Sequence, residues 1–499
     1  MPTSEKAAVG AAKRAHSAKG TIRKKTAETS AGQVSALARM LPGMLASMAR
    51  QAADLPEGDV ASLTASAVDL YARRSASAAT SGRDSDQIGL CLVRPKSSAA
   101  SQALSSFRVE LHEDSRRSQL ARLAEFRSDT QAQLDDVRRW CDGLGDGRRL
   151  AVPSGGLISA GMVMRLSSEE AARLRRDVGH VQVVQNRVLS LVSPTQRSLG
   201  SAAAPPPHAG WHLEAIGQRT ARANGRAFSG RGVRVAVLDT GIQLDHPELG
   251  GRVTEGWRID KTEAAVTAAA VVRDPAHGDT DGHGTHVAGL ICGTDVGVAP
   301  DALLTSVLMM PSGFATTFDF IRCLDWVVQH PEVSLVNFSA GEFPYNDDMV
   351  PIVADVVRMG VLPFFAVGND GENKSRSPGN YIDGVSVGSV DPDDGARVSS
   401  FSGSGRQVEN QTAYDVPDLV APGARIWSSY RDSGFATLNG TSMATPVACG
   451  VAACLLEQAG GQLAPADLFD LLRRGCVALA GEPAGRQGRG RVTVPVKAA

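Results

Sequence analysis

The chain of 499 residues is too long for one ordinary domain and predicts two or three folding units. Its composition, 42% hydrophobic and 21% charged, is that of a globular protein with material for a sizeable core. The formal net charge of −1 gives no indication of a polyanionic partner, and no stretch approaches the ~20 apolar residues of a membrane span. We therefore expect neither nucleic acid nor a membrane as a partner.

The N-terminal residues and the cysteines determine the expected location. Residues 1–25 contain many basic side chains but no apolar segment of the kind found in a secretory signal. The seven cysteines lack metal-ligand spacing, and their odd number favours buried thiols in a reducing compartment over a disulfide framework. The sequence therefore predicts a cytoplasmic protein.

Three segments are expected before the largest domain. Residues 1–85, rich in Ala, Ser, Lys and Arg, predict a basic arm that is partly disordered or helical. Residues 86–192 predict a small α+β domain with an open sheet, because strand-like and helical runs alternate in β-α-β-α-β order. The strand-like runs lie at 88–93, 158–166 and 181–192, and the helical runs lie at 114–140 and after a cap at 167–170. The Pro-, Ser- and Ala-rich residues 193–210 are typical of an exposed, cleavable linker.

Residues 211–495 have the pattern of an α/β domain. Short apolar runs alternate with helical segments, at 233–238, 303–309, 335–339, 361–367 and 385–390. Strands that are apolar on both faces and alternate with helices predict a mainly parallel, doubly wound sheet. Ligands bind such sheets beyond the carboxyl ends of the strands, and polar motifs follow several of these runs.

Two of these motifs supply an aspartate and a histidine. Asp239 ends the first apolar run and is followed by Thr-Gly. Alone, this motif is consistent with an ordinary turn. Asp-Thr-Gly also occurs in aspartic proteases, but these need a second such motif, which this sequence does not contain. The motif DGHGTH places His283 at the start of a predicted helix and His286 one turn later. A third ligand and an HExxH pattern are missing, so we predict no metal site and expect His286 to be packed or hydrogen-bonded.

Two further motifs supply a serine and an amide. Ser442, in NGTSMATP, lies at the start of a predicted helix, where amide groups favour developing negative charge. A serine becomes a nucleophile beside a histidine base that an aspartate orients. Asn369, in FFAVGNDG, follows an apolar run and can donate to the oxyanion of a tetrahedral intermediate. Together the four motifs indicate nucleophilic catalysis of acyl transfer.

Residues 211–495 resemble the catalytic domain of the subtilisin-like serine proteases (subtilases, peptidase family S8). The resemblance is carried by AVLDTGIQLDHPEL, DGHGTHVAGLI, VNFSAG, FAVGNDG, VAPG and NGTSMATPVACGVAA. It implies a serine endopeptidase in which Asp239 orients His283, His283 acts as base and then acid, and Ser442 is the nucleophile. It also implies an oxyanion hole made by Asn369 and the Ser442 amide. No cofactor is expected, because the loop that often carries calcium in this family is short here.

The resemblance further implies how a polypeptide substrate binds. We predict five substrate-binding residues: Ser339, Ala340, Gly341, Glu342 and Asp370. The substrate is expected to lie as an extended strand against the first three. Together with Asp347 and Asp348, the two acids suggest the hypothesis that Arg or Lys is preferred at or near the residue before the scissile bond. A solvated acidic loop is an equally consistent interpretation.

Residues 86–192 resemble, more loosely, the inhibitory propeptide of this family (inhibitor I9). The match rests on element order, position and the run GMVMRLSSEEAARLRRDVGHVQVVQNRV. It implies a folding chaperone and autoinhibitor whose C-terminal end lies in the cleft, with autoprocessing between Ser193 and about Pro207. Arg197 is an attractive residue to precede the cut. Three alternatives remain: a transpeptidase or macrocyclase, a non-enzymatic binding module, which the complete triad disfavours, and a latent protease released by an activating partner.

Overall fold

The computed structural model describes residues 89–96, 113–125, 134–144, 152–154, 156–200, 205–261, 266, 268–392, 395–409 and 411–498. The predicted N-terminal arm, residues 1–85, lies outside these ranges. Among the helices within them, none combines the length and apolar character needed to cross a membrane. The seven cysteines are free thiols, as expected, although Cys141 and Cys476 are only partly buried.

The first elements form a small antiparallel sheet with helices. The elements are β1 (Gly89–Pro95), α1 (Glu113–Glu125), α2 (Asp135–Asp142), β2 (Val152–Ser154), β3 (Gly161–Leu166), α3 (Ser168–Asp177), β4 (Val181–Gln185), β5 (Val188–Leu191) and β6 (Gln196–Gly200). Strands β1 to β4 pair in the order β2-β3-β1-β4. Helix α3 begins at a capping box, in which Ser167 and Glu170 satisfy each other's backbone amides. Strands β5 and β6 leave this sheet and pair elsewhere.

The larger part of the chain contains the remaining elements. They are α4 (Trp211–Ala215), α5 (Gln218–Ala223), β7 (Arg234–Asp239), β8 (Val253–Ile259), β9 (Val271–Arg273), α6 (His283–Cys292), β10 (Leu303–Leu308), β11 (Phe314–Thr316), α7 (Thr317–Gln329), β12 (Leu335–Phe338), β13 (Ala340–Gly341), α8 (Val350–Arg358), β14 (Leu362–Ala366), β15 (Val385–Val390), β16 (Gly405–Glu409), β17 (Thr412–Val416), β18 (Leu419–Pro422), β19 (Ile426–Tyr430), β20 (Gly434–Asn439), α9 (Thr441–Gln458), α10 (Pro465–Arg474) and α11 (Ala484–Gln487). Short 3₁₀ turns lie at Pro247–Leu249, Ala268–Ala270 and Pro311–Gly313.

An eight-stranded sheet is the centre of this part, in the order β18-β15-β14-β12-β7-β10-β8-β9. Its pairs are parallel except for β8 with β9, which confirms the predicted α/β class and mainly parallel sheet. All five predicted strands are present as β7, β10, β12, β14 and β15. Strands β8, β9 and β18 were not predicted, because Thr, Glu and Arg interrupt β8 and the other two are short.

Helices cover both faces of the sheet, and the packing of β7 between them explains why this strand is apolar. Val235 and Val237 lie in one hydrophobic cluster with residues of α6 and α9. Ala236 and Leu238 lie in a second cluster with residues of α7 and α8. Because successive side chains of a strand point to opposite faces, a strand between two helical layers needs apolar residues at every position. The sheet is therefore doubly wound, as predicted.

The carboxyl ends of three adjacent strands carry the predicted site. Asp239 ends β7, Ser339 follows β12, and Asn369 follows β14 after a turn at Gly368. Gly368 has φ of 114°, a conformation that favours glycine. The sheet thus brings to one edge residues that are separated by 130 positions in the chain.

Candidate active site

Asp239 and His283 form a buried pair at this edge. The Asp239 carboxylate accepts a hydrogen bond from His283 Nδ1, at 2.8 Å to Oδ1 and 3.0 Å to Oδ2, and its Oδ1 also accepts the Thr240 amide at 2.7 Å. Gly284 packs so closely that a Cβ there would lie 2.0 Å from the Gly241 oxygen. The glycines of both motifs therefore let α6 begin directly against the turn that follows β7.

The Asp239 carboxylate controls the protonation of His283. Burial lowers the pKa of His283, but the charge of Asp239 and its hydrogen bond raise that pKa, and the net result lies above the ordinary value. The other ring nitrogen, Nε2, is buried and has no hydrogen-bond partner among the described residues. A tautomer with the proton on Nδ1 leaves Nε2 available to accept a proton.

Ser442 is the second residue of α9, and its side chain is occupied by the chain itself. Its Oγ donates to the carbonyl oxygen of Val192 at 2.8 Å and lies 3.4 Å from the carbonyl oxygen of Ser339. No Oγ bond to His283 Nε2 is formed within the described part of the chain. Ser442 and His283 thus lie on the packed helices α9 and α6, and Ser442 Oγ contacts a backbone carbonyl and not the His283 ring.

Asn369 is held so that its amide group points at the same segment. Its Oδ1 accepts hydrogen bonds from the amide and the hydroxyl of Thr441, both at 2.9 Å. Its Nδ2 donates to the carbonyl oxygen of Ser193 at 2.8 Å. Thr441 therefore sets the orientation of the Asn369 side chain, a role that the sequence motif alone did not reveal.

An extended segment of the chain fills the cleft next to Ser442. Strand β5 lies between β11 and β13 in a three-stranded antiparallel sheet. On the β13 side, Ala340 faces Leu191 and Gly341 faces Ser190. The Val192 amide then donates to the Ser339 oxygen at 3.0 Å. The structure thus brings three of the predicted substrate-binding residues, Ser339–Gly341, against residues 190–192.

The segment continues past Ser442 on the other side. The Thr195 amide donates to the Asn439 oxygen at 2.8 Å, and β6 then pairs antiparallel with β20. Arg197 lies in β6 with its guanidinium over the ring of Tyr430, 4.6 Å from the centroid. The carbonyls at Ser442 and Asn369 belong to Val192 and Ser193, so the structure does not bring Arg197 to Ser442.

The predicted acidic residues near the cleft have cationic partners. Asp348 forms ion pairs with Arg175 at 3.1 Å and Arg187 at 3.3 Å, and Glu342 lies 4.0 Å from Arg187. Burial raises the pKa of Glu342 and of Asp348. Arg187 comes five residues before Val192, so these two carboxylates face a position well upstream of the residue next to the nucleophile.

Asp370 and Asp347 lie outside that set of contacts. The Asp370 carboxylate is bound by the Arg376 guanidinium through two hydrogen bonds, at 2.6 and 2.9 Å. Asp347 is exposed. The four acids that the sequence groups together are therefore divided among different partners, which weakens the hypothesis of one acidic pocket for the residue before the scissile bond.

Asp279 is a supporting residue that sequence reasoning missed. Its carboxylate accepts the Thr285 amide and hydroxyl, at 2.8 and 2.7 Å, and the Gly282 amide at 2.8 Å. It also accepts the Thr240 hydroxyl at 2.7 Å. These bonds connect the turn after β7 to the first turn of α6. The sequence feature that could have identified Asp279 is its position four residues before His283, in a loop of small and polar residues.

His286 has no part in these contacts. Its Nε2 donates to the carbonyl oxygens of Ile426 and Ala436, both at 3.1 Å. Burial lowers its pKa to about 3. It is a hydrogen-bonded helix histidine, as the sequence predicted, and it joins α6 to the β19–β20 hairpin.

The sequence of this chain is similar to those of known proteins. A model of the subtilase family matches residues 230–490. Similar proteins include the alkaline serine exoprotease A of Vibrio alginolyticus, 35% identical over 307 residues, which are 60% of this chain and 52% of that protein. The extracellular serine proteinase of Thermus sp. (strain Rt41A) is 33% identical over 308 residues, covering 60% of this chain and 66% of that protein. Subtilisin Savinase of Lederbergia lenta is 34% identical over 242 residues, covering 47% and 80%.

The comparisons correct the expected location and identify the family. The chain spans about half and about two thirds of the first two relatives, one of which is named an extracellular enzyme. The prediction of a cytoplasmic location is therefore wrong: it rested on the lack of an apolar N-terminal segment, and such a lack determines no compartment. Since the family model covers more than half of its length, the chain belongs to the subtilase family.

Proposed function

We propose that this protein is a serine endopeptidase that hydrolyses polypeptides through an acyl-enzyme. Ser442 is the nucleophile, His283 the general base and acid, and Asp239 the residue that orients His283. The observation that most directly supports the proposal is the backbone carbonyl of Val192, 2.8 Å from Ser442 Oγ in a strand-like segment of the cleft. This hydrogen bond joins Oγ to the carbonyl oxygen, so it holds a peptide group next to the hydroxyl that the proposal makes the nucleophile.

The proposed first step forms the acyl-enzyme. Ser442 Oγ attacks the carbonyl carbon while its proton moves to Nε2 of His283, and Asp239 stabilises the resulting imidazolium. The oxyanion that forms on the Val192 carbonyl accepts hydrogen bonds from the Ser442 amide at the first turn of α9 and from Asn369 Nδ2, which must move to it from the neighbouring Ser193 oxygen. His283 then protonates the leaving amine, and the peptide bond breaks.

The second step releases the product. Water enters, His283 accepts one of its protons, and the hydroxide attacks the acyl carbon. The bond from that carbon to Oγ then breaks, and His283 returns the proton to Oγ, which regenerates Ser442 and releases the carboxylic acid product. All groups in both steps are side chains or amides of this chain. A transpeptidase would differ only in the amine that replaces water, and no contact described above favours that alternative.

We further propose that residues 86–192 act as an intramolecular inhibitor and that the chain is made as a zymogen. Two buried contacts support this. Arg94 forms an ion pair with Asp355, and the Arg116 guanidinium donates to backbone carbonyls that include Pro331 at 2.9 Å. The segment that fills the cleft is continuous with this unit, so substrate and inhibitor compete for the same strand position.

Self-cleavage is expected at the N-terminal edge of the linker 193–210. The carbonyls of Val192 and Ser193 lie at Ser442 and Asn369, and the bond after Ser193 leads to Pro194, which has no amide hydrogen. We expect the cut after Val192. An activating partner that displaces residues 188–200 remains compatible with this scheme, because these residues cover the nucleophile.

The test compares the intact masses of purified wild type and Ser442→Ala. Wild type is expected to be cut after Val192, and Ser442→Ala is expected to remain whole. A peptide anilide reports activity after processing. Its C-terminal residue is linked to an aniline leaving group, so the substrate contains only the residues that precede the scissile bond. Cleavage of that peptide by Ser442→Ala at the wild-type rate would overturn the assignment of the nucleophile.

A further inference from the structure

Strand β6 occupies the edge of the β19–β20 hairpin next to Ser442. It pairs with β20 over five positions, from Gln196 opposite Asn439 to Gly200 opposite Phe435. The hydrogen bond from the Thr195 amide to the Asn439 carbonyl oxygen continues this ladder. Asn439 lies three residues before Ser442 in the sequence. The edge of β20 therefore extends the cleft downstream of the carbonyls that face the nucleophile.

Strand β6 is bound mainly through its backbone. Four of its five residues are exposed, and Leu199 retains 67% of its accessible surface. Main-chain pairing of this kind is independent of sequence, so another extended segment could form the same ladder. Two of the side-chain positions nevertheless meet specific groups.

The first position is that of Arg197, over the ring of Tyr430. The guanidinium lies 4.6 Å from the ring centroid, within the range of a cation–π contact. Tyr430 is buried, and its hydroxyl donates to the Asp281 oxygen, which holds the ring in place. Burial and the nearby Asp281 carboxylate raise the pKa of Tyr430, so the ring is neutral and a cation over its face is favoured.

The second position is that of Gly200, against Trp427. A Cβ at Gly200 would lie 2.4 Å from a carbon of the indole ring. Trp427 is itself buried and stacked on Phe435, with ring centroids 5.3 Å apart. The indole is therefore supported from behind and leaves no space for a side chain at that position.

We propose that the edge of β20 binds the downstream part of a polypeptide substrate, and that β6 occupies this site in place of the substrate. The proposal rests on the proposed protease function and adds an extended substrate class. A substrate would present Arg or Lys over Tyr430, as the fifth residue after a cut that follows Val192. It would present glycine three residues further on.

The test is a digestion of a degenerate peptide mixture by the full chain after it has processed itself. The cleavage sites are identified by mass spectrometry, and the anilide peptide that lacks downstream residues provides a reference rate. We expect Arg and Lys to be enriched at the fifth residue after the cut by about 2- to 30-fold, the factor that corresponds to a cation–π contact. Glycine is expected to be enriched at the eighth residue.

Two variants separate the ring from a structural role of Tyr430. Tyr430→Leu removes the ring and should abolish the preference for Arg and Lys. Tyr430→Phe keeps the ring but loses the hydrogen bond to Asp281, and it should retain the preference. If both variants lose it, the hydroxyl bond and not the ring matters, and the cation site is overturned.

The failure of this inference is distinct from the failure of the protease function. If the anilide is cleaved but no residue is enriched downstream, the β20 site is overturned and the peptidase stands. If neither the anilide nor the peptides are cleaved, both proposals fail. As a further check, Arg197→Ala should raise the rate for downstream-extended peptides relative to the anilide, because it weakens β6. The same change at exposed Arg406, which pairs with Asp415, should leave that ratio unchanged.

Discussion

Each side chain around Ser442 has one role in the proposed chemistry and is held by its own hydrogen bonds. Asp239 is bound by the Thr240 amide and faces His283, so its charge is directed at one ring nitrogen. Asn369 is oriented by two hydrogen bonds from Thr441, the residue just before Ser442, so the proposed oxyanion donor is fixed relative to the proposed nucleophile. Preorganised donors of this kind act without reorganisation during the reaction.

We expect Asn369→Ala to lower kcat by about 10²–10³, the magnitude known for an oxyanion-hole donor in subtilisin, with little change in KM. The reason is that the amide bonds the oxyanion more strongly than the carbonyl of the bound substrate. Steady-state hydrolysis of the anilide peptide measures this. A rise in KM with unchanged kcat would instead make Asn369 a simple binding residue.

The raised pKa of His283 predicts the pH dependence of activity. The base must be neutral, so kcat/KM should rise with pH as His283 loses its proton, above the ordinary pH range of histidine. Asp239→Asn removes the charge that raises this pKa, so the acid limb should move to lower pH while kcat falls by about 10⁴. A pH–rate profile of both proteins tests this. An unchanged acid limb in Asp239→Asn would mean that another group titrates.

At the scale of elements, the start of α6 depends on a loop that Asp279 organises. Five hydrogen-bond donors from the β7 turn, the loop and α6 converge on one carboxylate. Hydrogen bonds to a charged group are worth about 1.5–3 kcal/mol each, and donors left without a partner add a desolvation cost. The position of His283 therefore depends on a residue that takes no part in the proposed chemistry.

We expect Asp279→Ala to lower the free energy of unfolding by about 2–4 kcal/mol in a Ser442→Ala background, which prevents self-digestion. Denaturant unfolding measures the loss. The neighbouring Asp281→Ala is the matched control and should cost less, because the donors converge on Asp279. Equal losses in the two variants would contradict this account of the loop.

At the scale of the whole molecule, residues 86–192 hold the rest of the described chain through buried cations. Arg116, nearly inaccessible to solvent, donates to the carbonyl oxygens of Val327 at 3.2 Å and Met359 at 3.3 Å. The Asp325 carboxylate accepts the amides of Leu157 and Ile158, at 2.7 and 3.1 Å. Breaking one partner of a buried pair leaves an uncompensated charge and costs several kcal/mol.

We expect Arg94→Ala to weaken the complex of the two fragments after self-cleavage by about 10²–10⁴-fold in Kd, which corresponds to a cost of about 3–5 kcal/mol. The variant leaves the buried Asp355 without the partner that Arg94 provides. Dilution of the cleaved protein, followed by the return of anilide hydrolysis, measures the dissociation. Arg138→Ala, at an exposed pair with Asp135, is the control and should not change Kd.

The sequence by itself determined the fold class and the residues of the candidate site. Those residues lie in short motifs where glycines and strand ends dictate the local backbone, so local pattern was enough to select Asp239, His283, Asn369 and Ser442. It did not determine which peptide the site holds, nor the partners of Glu342 and Asp348. These depend on contacts between residues 100–250 positions apart, such as Val192 with Ser442. Only the tertiary structure creates such contacts, because no local pattern encodes which distant segments meet.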